Sequence, residues 1–202
     1  MPTAGISKLT SIDFEYAKIL KSTIKLVGVA TLNADGSLAV FVSPMVVPLN
    51  SPLASAKGPG NMVVVNSQNM AGQSSTYAGP GAGRFPTANS ICNDLVRLSQ
   101  GKTVAPFPLD CPELKINNDY TAQFYVRISI TDGLGIIRQV GESAEAAGVS
   151  IHAILQNPIS SAQVDFVVTT EHGTRLSQVK DFCERVGKMG FALRQPLYMP
   201  ML

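Results

Sequence analysis

The spacing of apolar residues in the first hundred positions predicts two helices and four strands. A capping box at 10–13 precedes apolar residues at helical spacing, which predicts a helix over roughly 11–21. Apolar runs predict strands at 23–32, 37–47, 61–66 and 73–78. The turn Asn33-Ala34-Asp35-Gly36 joins the first two strands, and a second helix ends near Gly101. The pattern predicts a mixed or antiparallel sheet with helices on one face.

The second half of the chain has a different pattern, which begins after a Pro-rich segment. Residues 102–119 contain Pro106, Pro108 and Pro112, show no periodicity, and are typical of a linker. The elements predicted beyond it are a strand at 120–131, a helix at 136–147, strands at 149–156 and 162–170, a helix at 174–189 and a strand at 191–198. This βαββαβ order predicts a ferredoxin-like domain at 120–202 after a first domain at 1–101, within an α+β protein.

A glycine-rich loop separates the last strand of the first half from its second helix. Gly79, Gly81 and Gly83 fall within five residues, and Pro86 suits the first turn of the helix that follows. Such a loop can direct backbone N–H groups and the positive end of a helix dipole towards a phosphate or carboxylate. The alternative is a tight turn that only packs the helix against its sheet.

Composition excludes several classes of partner and site. Charged residues are 15% of the chain and the net charge is +2, with no basic run, so nothing indicates nucleic acid or an anionic membrane as a partner. Cys92, Cys111 and Cys183 are far apart and form no CxxC pair, which argues against a disulfide framework and a metal site. We expect a cytoplasmic protein, or a plastid protein if a transit peptide was removed.

Several motifs of the first half, in order, resemble the later part of homoserine dehydrogenase. They are Lys25–Ala30 (KLVGVA), Val47-Pro48, Pro52-Leu53-Ala54, Asn61, the loop Gly79–Gly83 and Pro86-Thr87-Ala88. The resemblance implies that Gly79, Gly81, Ala82 and Gly83 lie beside the nicotinamide of NAD(P). It also implies the interconversion of L-homoserine and L-aspartate 4-semialdehyde, in the biosynthesis of threonine, methionine and isoleucine.

The second half resembles the ACT domain, a small-molecule sensor that many of these enzymes carry at their C-terminus. Asp132-Gly133-Leu134-Gly135 stands where the ACT turn usually has Asp-x-Pro-Gly, with Leu134 in place of the proline, and Gln156 closes the second strand. The resemblance implies that Asp132, Gly135, Ile136 and Gln156 bind an effector, with L-threonine as the feedback inhibitor. The alternative is a turn that serves packing alone.

Parts of the family pattern are absent from this sequence. No GxGxxG motif of a Rossmann domain occurs, and the family's catalytic lysine and substrate carboxylates fall before Gly5-Ile6-Ser7. No catalytic residue is therefore assigned, and Asp13, Glu15 and Lys18 are expected on a solvated helix face. Ser51 replaces a histidine that usually precedes Pro-Leu-Ala.

Two functions remain open from the sequence. The chain is either the C-terminal portion of homoserine dehydrogenase, expected to be inactive alone, or a non-catalytic ACT-type regulatory and dimerisation module that binds threonine. A fragment, a partial gene model and a split subunit all agree with the sequence. We expect a homodimer or higher homo-oligomer, because few helices cover the predicted sheet, and a Rossmann part supplied in cis or in trans.

Overall fold

The computed structural model describes residues 2–67, 70–102, 113–156 and 163–202. They form an α+β protein of two compact units, one of Met1–Leu49 with Leu114–Leu202 and one of Asn50–Glu113. In chain order the elements are α1 Ser11–Ile19, β1 Ser22–Leu32, β2 Leu38–Pro48, a 3₁₀ turn Pro52–Ser55, β3 Gly60–Asn66, β4 Ser74–Pro80, α2 Arg84–Ser99, β5 Thr121–Thr131, α3 Ile136–Ala146, β6 Ile151–Gln156, β7 Gln163–Thr170, β8 Thr174–Arg175, α4 Leu176–Gly187 and β9 Leu197–Met201.

One mixed sheet organises the first unit. Its strands lie in the order β1-β2-β9-β5-β7-β6, and the short β8 pairs with β5 beside this path. All neighbours are antiparallel except β2 and β9, which run parallel where Val46 lies opposite Met201. The α+β class predicted from the sequence is thereby confirmed, and of the two kinds of sheet left open there, mixed or antiparallel, the structure contains a mixed one.

Strand β2 joins the N-terminal and C-terminal parts of this sheet. Its first edge pairs with β1 along its whole length through the predicted Asn33–Gly36 turn. Its second edge is occupied by three short segments: Leu38 pairs with Ile116, Val42 with Thr3, and Val46 with Met201. With both edges of β2 occupied, neither β3 nor β4 pairs with β2.

The predicted four-stranded sheet of the first half is therefore wrong. In the described part of the chain β3 and β4 pair with each other as a separate two-stranded sheet. The compact units also have other bounds than the predicted domains 1–101 and 120–202, because β1 and β2 group with the C-terminal strands. Most of the predicted linker 102–119, including Cys111, lies outside the described residues.

Helices cover both faces of the large sheet, where helices on one face were predicted. The larger core lies under α3 and α4; its fully buried members include Phe124, Val126, Phe166 and Phe182. The smaller core lies under α1, where Tyr16 packs with Tyr125, Val167 and Met199. The alternation of side chains along β5 and β7 supplies both cores from the same strands.

Two sequence-based expectations in this unit are corrected. The last strand was predicted at 191–198, but Ala192 forms an isolated bridge and the regular strand begins at Leu197 and continues to Met201. Asp13 was expected on a solvated face, yet its side chain is fully buried, while Glu15 and Lys18 are exposed. Asp13 is buried because Arg127 and the Tyr125 hydroxyl contact its Oδ1, at 3.0 and 2.9 Å.

Alkaline pH is expected to destabilise this unit. Burial raises the pKa of the Cys183 thiol to about 12 and raises the pKa values of the Tyr120, Tyr125 and Tyr198 hydroxyls. Because the fold favours the neutral groups, their stabilisation is complete below about pH 9 and is lost as the pH rises towards 12. Urea denaturation followed by circular dichroism should show the free energy of unfolding falling by up to about 1.4 kcal/mol per pH unit for Cys183 and for Tyr125, and by less for the more exposed Tyr120 and Tyr198. An unchanged free energy at about pH 11 would contradict this assignment of buried groups.

The second unit leaves its apolar side chains exposed. None of the residues of α2 is buried, and the side chains of Phe85, Ile91, Leu95, Val96 and Leu98 are all more than half exposed. On the paired strands β3 and β4, Val63 and Tyr77 are likewise more than half exposed. An apolar surface of this kind usually marks an interface with another chain or segment.

Candidate functional site

The residues predicted to bind an effector line one pocket of the first unit. Asp132 and Gly135 come from the turn between β5 and α3, Ile136 is the first residue of α3, and Gln156 is the last residue of β6. The pocket has a volume of about 190 Å³, and Ile130 of β5 and Phe166 of β7 contribute to its apolar wall. The fold thus brings together the turn and Gln156, which are distant in the sequence.

The backbone of the turn explains why glycine precedes α3. Gly135 is the N-cap residue and adopts φ +79°, a left-handed conformation that disfavours residues with a Cβ atom. Asp132 Oδ1 accepts a hydrogen bond from the adjacent Gly133 N–H at 2.9 Å, and the Leu134 side chain is fully exposed. The pocket consequently lies at the N-terminus of a helix whose first N–H groups have no intrahelical acceptor.

The glycine loop of the second unit has a different geometry from the predicted one. The N–H groups of Gly81 and Ala82 both donate to the Pro59 carbonyl oxygen, at 3.0 and 3.5 Å, so these two donors are used inside the chain. A Cβ on Gly81 would lie 1.5 Å from Asn61 Nδ2. The close approach of the Asn61 side chain therefore accounts for glycine at position 81.

The other two glycines of the loop are explained differently. Gly83 adopts φ +113° as the N-cap of α2, so its backbone conformation favours glycine. A Cβ on Gly79 would meet no atom within 4 Å, so packing inside the chain does not require glycine there. Gly79 lines a second pocket of about 420 Å³, together with Lys57, Gly60 and Asn61.

These residues fit contact with one end of a nicotinamide cofactor. The open position above Gly79 leaves room for a flat ring, and the N-terminus of α2 at Gly83 offers a positive dipole end. Of the four predicted cofactor residues, Gly79 and Gly83 are those whose backbone faces open space or begins a helix, and their contact with a cofactor stays a prediction. Gly81 and Ala82 instead shape the loop through Pro59 and Asn61.

The described residues contain neither a cluster of metal-binding side chains nor a membrane-spanning helix, and their cysteines are unpaired. No group of three or more His, Cys, Asp and Glu side chains among residues 2–67, 70–102, 113–156 and 163–202 could hold a metal ion. Cys92 is exposed and Cys183 buried, and both are free thiols. None of the helices described in the structure combines the length and apolar character needed to cross a bilayer.

Comparison with known proteins gives one family. Residues 1–96 match the family model of homoserine dehydrogenase. The homoserine dehydrogenase of Bacillus subtilis is 34% identical over 83% of this chain and 40% of its own length. The NAD(+)-dependent homoserine dehydrogenase of Pseudomonas canavaninivorans is 38% identical over 49% of this chain and 28% of its own length.

A solved structure supports the same relationship over nearly the whole chain. The homoserine dehydrogenase of Thiobacillus denitrificans has 25% sequence identity and a TM-score of 0.78, covering 98% of this chain and 46% of its own. The chain thus spans less than half the length of these relatives. By its sequence motifs, its relatives and its fold, the chain belongs to the homoserine dehydrogenase family.

Proposed function

We propose that this chain is the C-terminal portion of a homoserine dehydrogenase and that residues 120–202 form its amino-acid-sensing ACT domain. The observation that carries the proposal is the convergence of Asp132, Gly135, Ile136 and Gln156 on one pocket. The strand order β9-β5-β7-β6, with two helices on one face, supports it because it is the order of a ferredoxin-like βαββαβ unit. The enzyme would interconvert L-homoserine and L-aspartate 4-semialdehyde in the cytoplasm.

The proposed effector is a small amino acid such as L-threonine. Its carboxylate would lie at the N-terminus of α3, where the dipole and free N–H groups stabilise an anion. Its ammonium group would lie near the Asp132 carboxylate, and its side chain would contact Ile130 and Phe166. The pocket volume of about 190 Å³ suits a ligand of this size.

The proposed role of the second unit is to contact the cofactor and a partner. Gly79 and Gly83 would lie against the nicotinamide end of NAD(P), which supplies the hydride chemistry when bound. The exposed apolar residues of α2 and of β3 and β4 support a partner that covers them, either a second copy or a Rossmann part in cis or in trans. No residue of this chain is assigned as the base that takes the hydroxyl proton of homoserine.

The catalytic part of the proposal predicts no turnover by this chain alone. The purified 202-residue chain should not oxidise NADPH or NADH in the presence of L-aspartate 4-semialdehyde above a protein-free control. Turnover at the rate of a full-length homoserine dehydrogenase would contradict it. Activity that appears only on addition of a separately expressed Rossmann part would identify a split subunit.

The effector site is tested with a pair of glycine variants. Gly135→Ala should weaken L-threonine binding in calorimetry at least tenfold, because a Cβ at φ +79° costs about 1–2 kcal/mol, which the turn relieves by moving its backbone away from the geometry that would hold the carboxylate. Gly141→Ala is the matched control: it lies inside α3 with open space around a Cβ and should stabilise the fold by about 0.5–1 kcal/mol without changing binding. No heat from threonine with the unmodified chain, and no thermal protection, would favour a turn that serves packing alone.

A further inference from the structure

The effector pocket and the α1 helix lie on opposite faces of the same two strands. Ile130 of β5 and Phe166 of β7 belong to the pocket face. Their chain neighbours Ser129 and Asp165 point to the other face and lie directly opposite each other, where the Ser129 hydroxyl donates to Asp165 Oδ1. A displacement of either strand on one face therefore displaces polar groups on the other.

Arg127 fixes the N-terminal segment to that second face. Its side chain is 3% exposed, and its Nη1 and Nη2 donate to Thr10 Oγ1 and to the Lys8 carbonyl oxygen, both at 3.0 Å. Its Nε lies 3.0 Å from Oδ1 of the fully buried Asp13 in an ion pair, although the Nε–H is not aligned as a hydrogen bond. Breaking a buried pair of this kind leaves an uncompensated charge, so the position of α1 depends on its geometry.

Tyr16 connects α1 directly to the strand that contributes to the pocket. The Tyr16 hydroxyl donates to the Asp165 backbone oxygen at 2.7 Å, and Asp165 immediately precedes Phe166 of the pocket wall. Only the peptide backbone of β7 separates the hydrogen bond from the pocket. Because hydrogen bonds weaken steeply with distance and angle, a small shift of β7 changes how strongly this hydrogen bond stabilises the packing of α1 on the sheet.

Helix α1 has the properties of an element with two states. With nine residues it is too short to be stable in isolation, so it depends on the contacts with the sheet. It continues into β1 through Lys21, which adopts φ +50°, an uncommon conformation for a residue with a side chain. The packing of α1 on the sheet, rather than the helix alone, therefore determines its stability.

We infer that the pocket and the docking of α1 are energetically coupled through β5 and β7. A ligand in the pocket stabilises the arrangement of the two strands in which Arg127 and Tyr16 make their contacts. A substitution that destabilises the pocket wall therefore weakens the packing of α1 on the sheet. By linkage, a firmly docked α1 raises the affinity of the pocket for its ligand by the same factor. The expected effect of a bound ligand on α1 rests on the proposed function, whereas the expected effect of a substitution in the pocket wall does not.

Two phenylalanine variants test the coupling without any ligand. Phe166→Leu alters the pocket wall, and Phe182→Leu makes the same change at an equally buried position of α4 in the same core. Hydrogen exchange of the 202-residue chain should show the α1 amides about fivefold faster in Phe166→Leu than in Phe182→Leu, after correction for the global free energy of unfolding. Equal α1 exchange in the two variants would overturn the coupling.

The ligand experiment uses L-threonine as the probe and separates the two proposals. Saturating threonine should slow exchange in α1 about fivefold in the unmodified chain and in Tyr198→Phe, but not in Tyr16→Phe, which loses the bond to Asp165. Threonine binding without slower α1 exchange would overturn the coupling and leave the effector site intact. Absence of threonine binding would refute the proposed effector, and the phenylalanine pair would then decide the coupling alone.

Discussion

Replacement of Arg127 by methionine is expected to lower the free energy of unfolding of the first unit by about 3–5 kcal/mol. The variant removes the guanidinium from a position that is 3% exposed and leaves the fully buried Asp13 carboxylate without its ionic partner. Asp165 loses the buried one of its two cationic partners, 3.8 Å from its Oδ1, and the Lys8 carbonyl and Thr10 hydroxyl lose their donor. The desolvation cost of Asp13 remains while the compensating charge is gone.

Arg194 supplies a control in the same network. Its guanidinium contacts the same Asp165 carboxylate at 3.3 Å, but its side chain is 51% exposed. Arg194→Met should therefore cost less than about 1 kcal/mol, because water replaces the lost contact. Urea denaturation followed by circular dichroism measures both variants, since the chain contains no tryptophan. Equal losses for the two arginines would show that burial does not determine the strength of this network.

Local sequence predicted most elements because their signals are local. The capping box, the Asn33–Gly36 turn and the alternation along β5 each act within a few residues, and the structure contains the helix, the hairpin and the strand they predict. The parallel pairing of Val46 with Met201 joins segments from near both ends of the chain. The apolar spacing contains no information about which strand pairs with the second edge of β2. The large sheet therefore could not be predicted from it.

The candidate sites were predictable to different degrees. The residues of the proposed effector site were chosen from a turn motif and a strand end, and the fold brings them together at one pocket. The use of the Gly81 and Ala82 N–H groups by Pro59 was not predictable, because it depends on how the 57–60 turn faces the glycine loop. The burial of Asp13 was missed because a lone acidic residue in a first helical turn usually serves as a cap, and its partners Tyr125 and Arg127 are remote in the sequence.

The second large effect expected concerns the C-terminal part expressed without the N-terminal segment. A fragment of residues 114–202 should not unfold cooperatively, although it contains every strand and helix of the proposed ACT domain. Its Tyr125, Val167 and Met199 side chains lose the cover of Tyr16, and β9 loses its neighbour β2. We expect a loss of at least about 5 kcal/mol, comparable to the whole stability of a small domain. Broad thermal transitions and binding of a hydrophobic dye would be the readouts.

A deletion that keeps both ends of the chain is the matched control for this fragment. Residues 50–113 are removed and Leu49 is joined to Leu114 by a flexible linker, which leaves all strands of the large sheet in place. Since Leu38 pairs with Ile116 at one end of β2 and Leu49 follows the other end, the linker must span about 36 Å, which about 20 Gly and Ser residues can do. Cooperative unfolding of the deletion variant, together with its loss in 114–202, would show that the proposed sensor folds only with the segment that α1, β1 and β2 supply. A fragment 114–202 as stable as the deletion variant would instead establish an autonomous C-terminal domain and refute the requirement for β2.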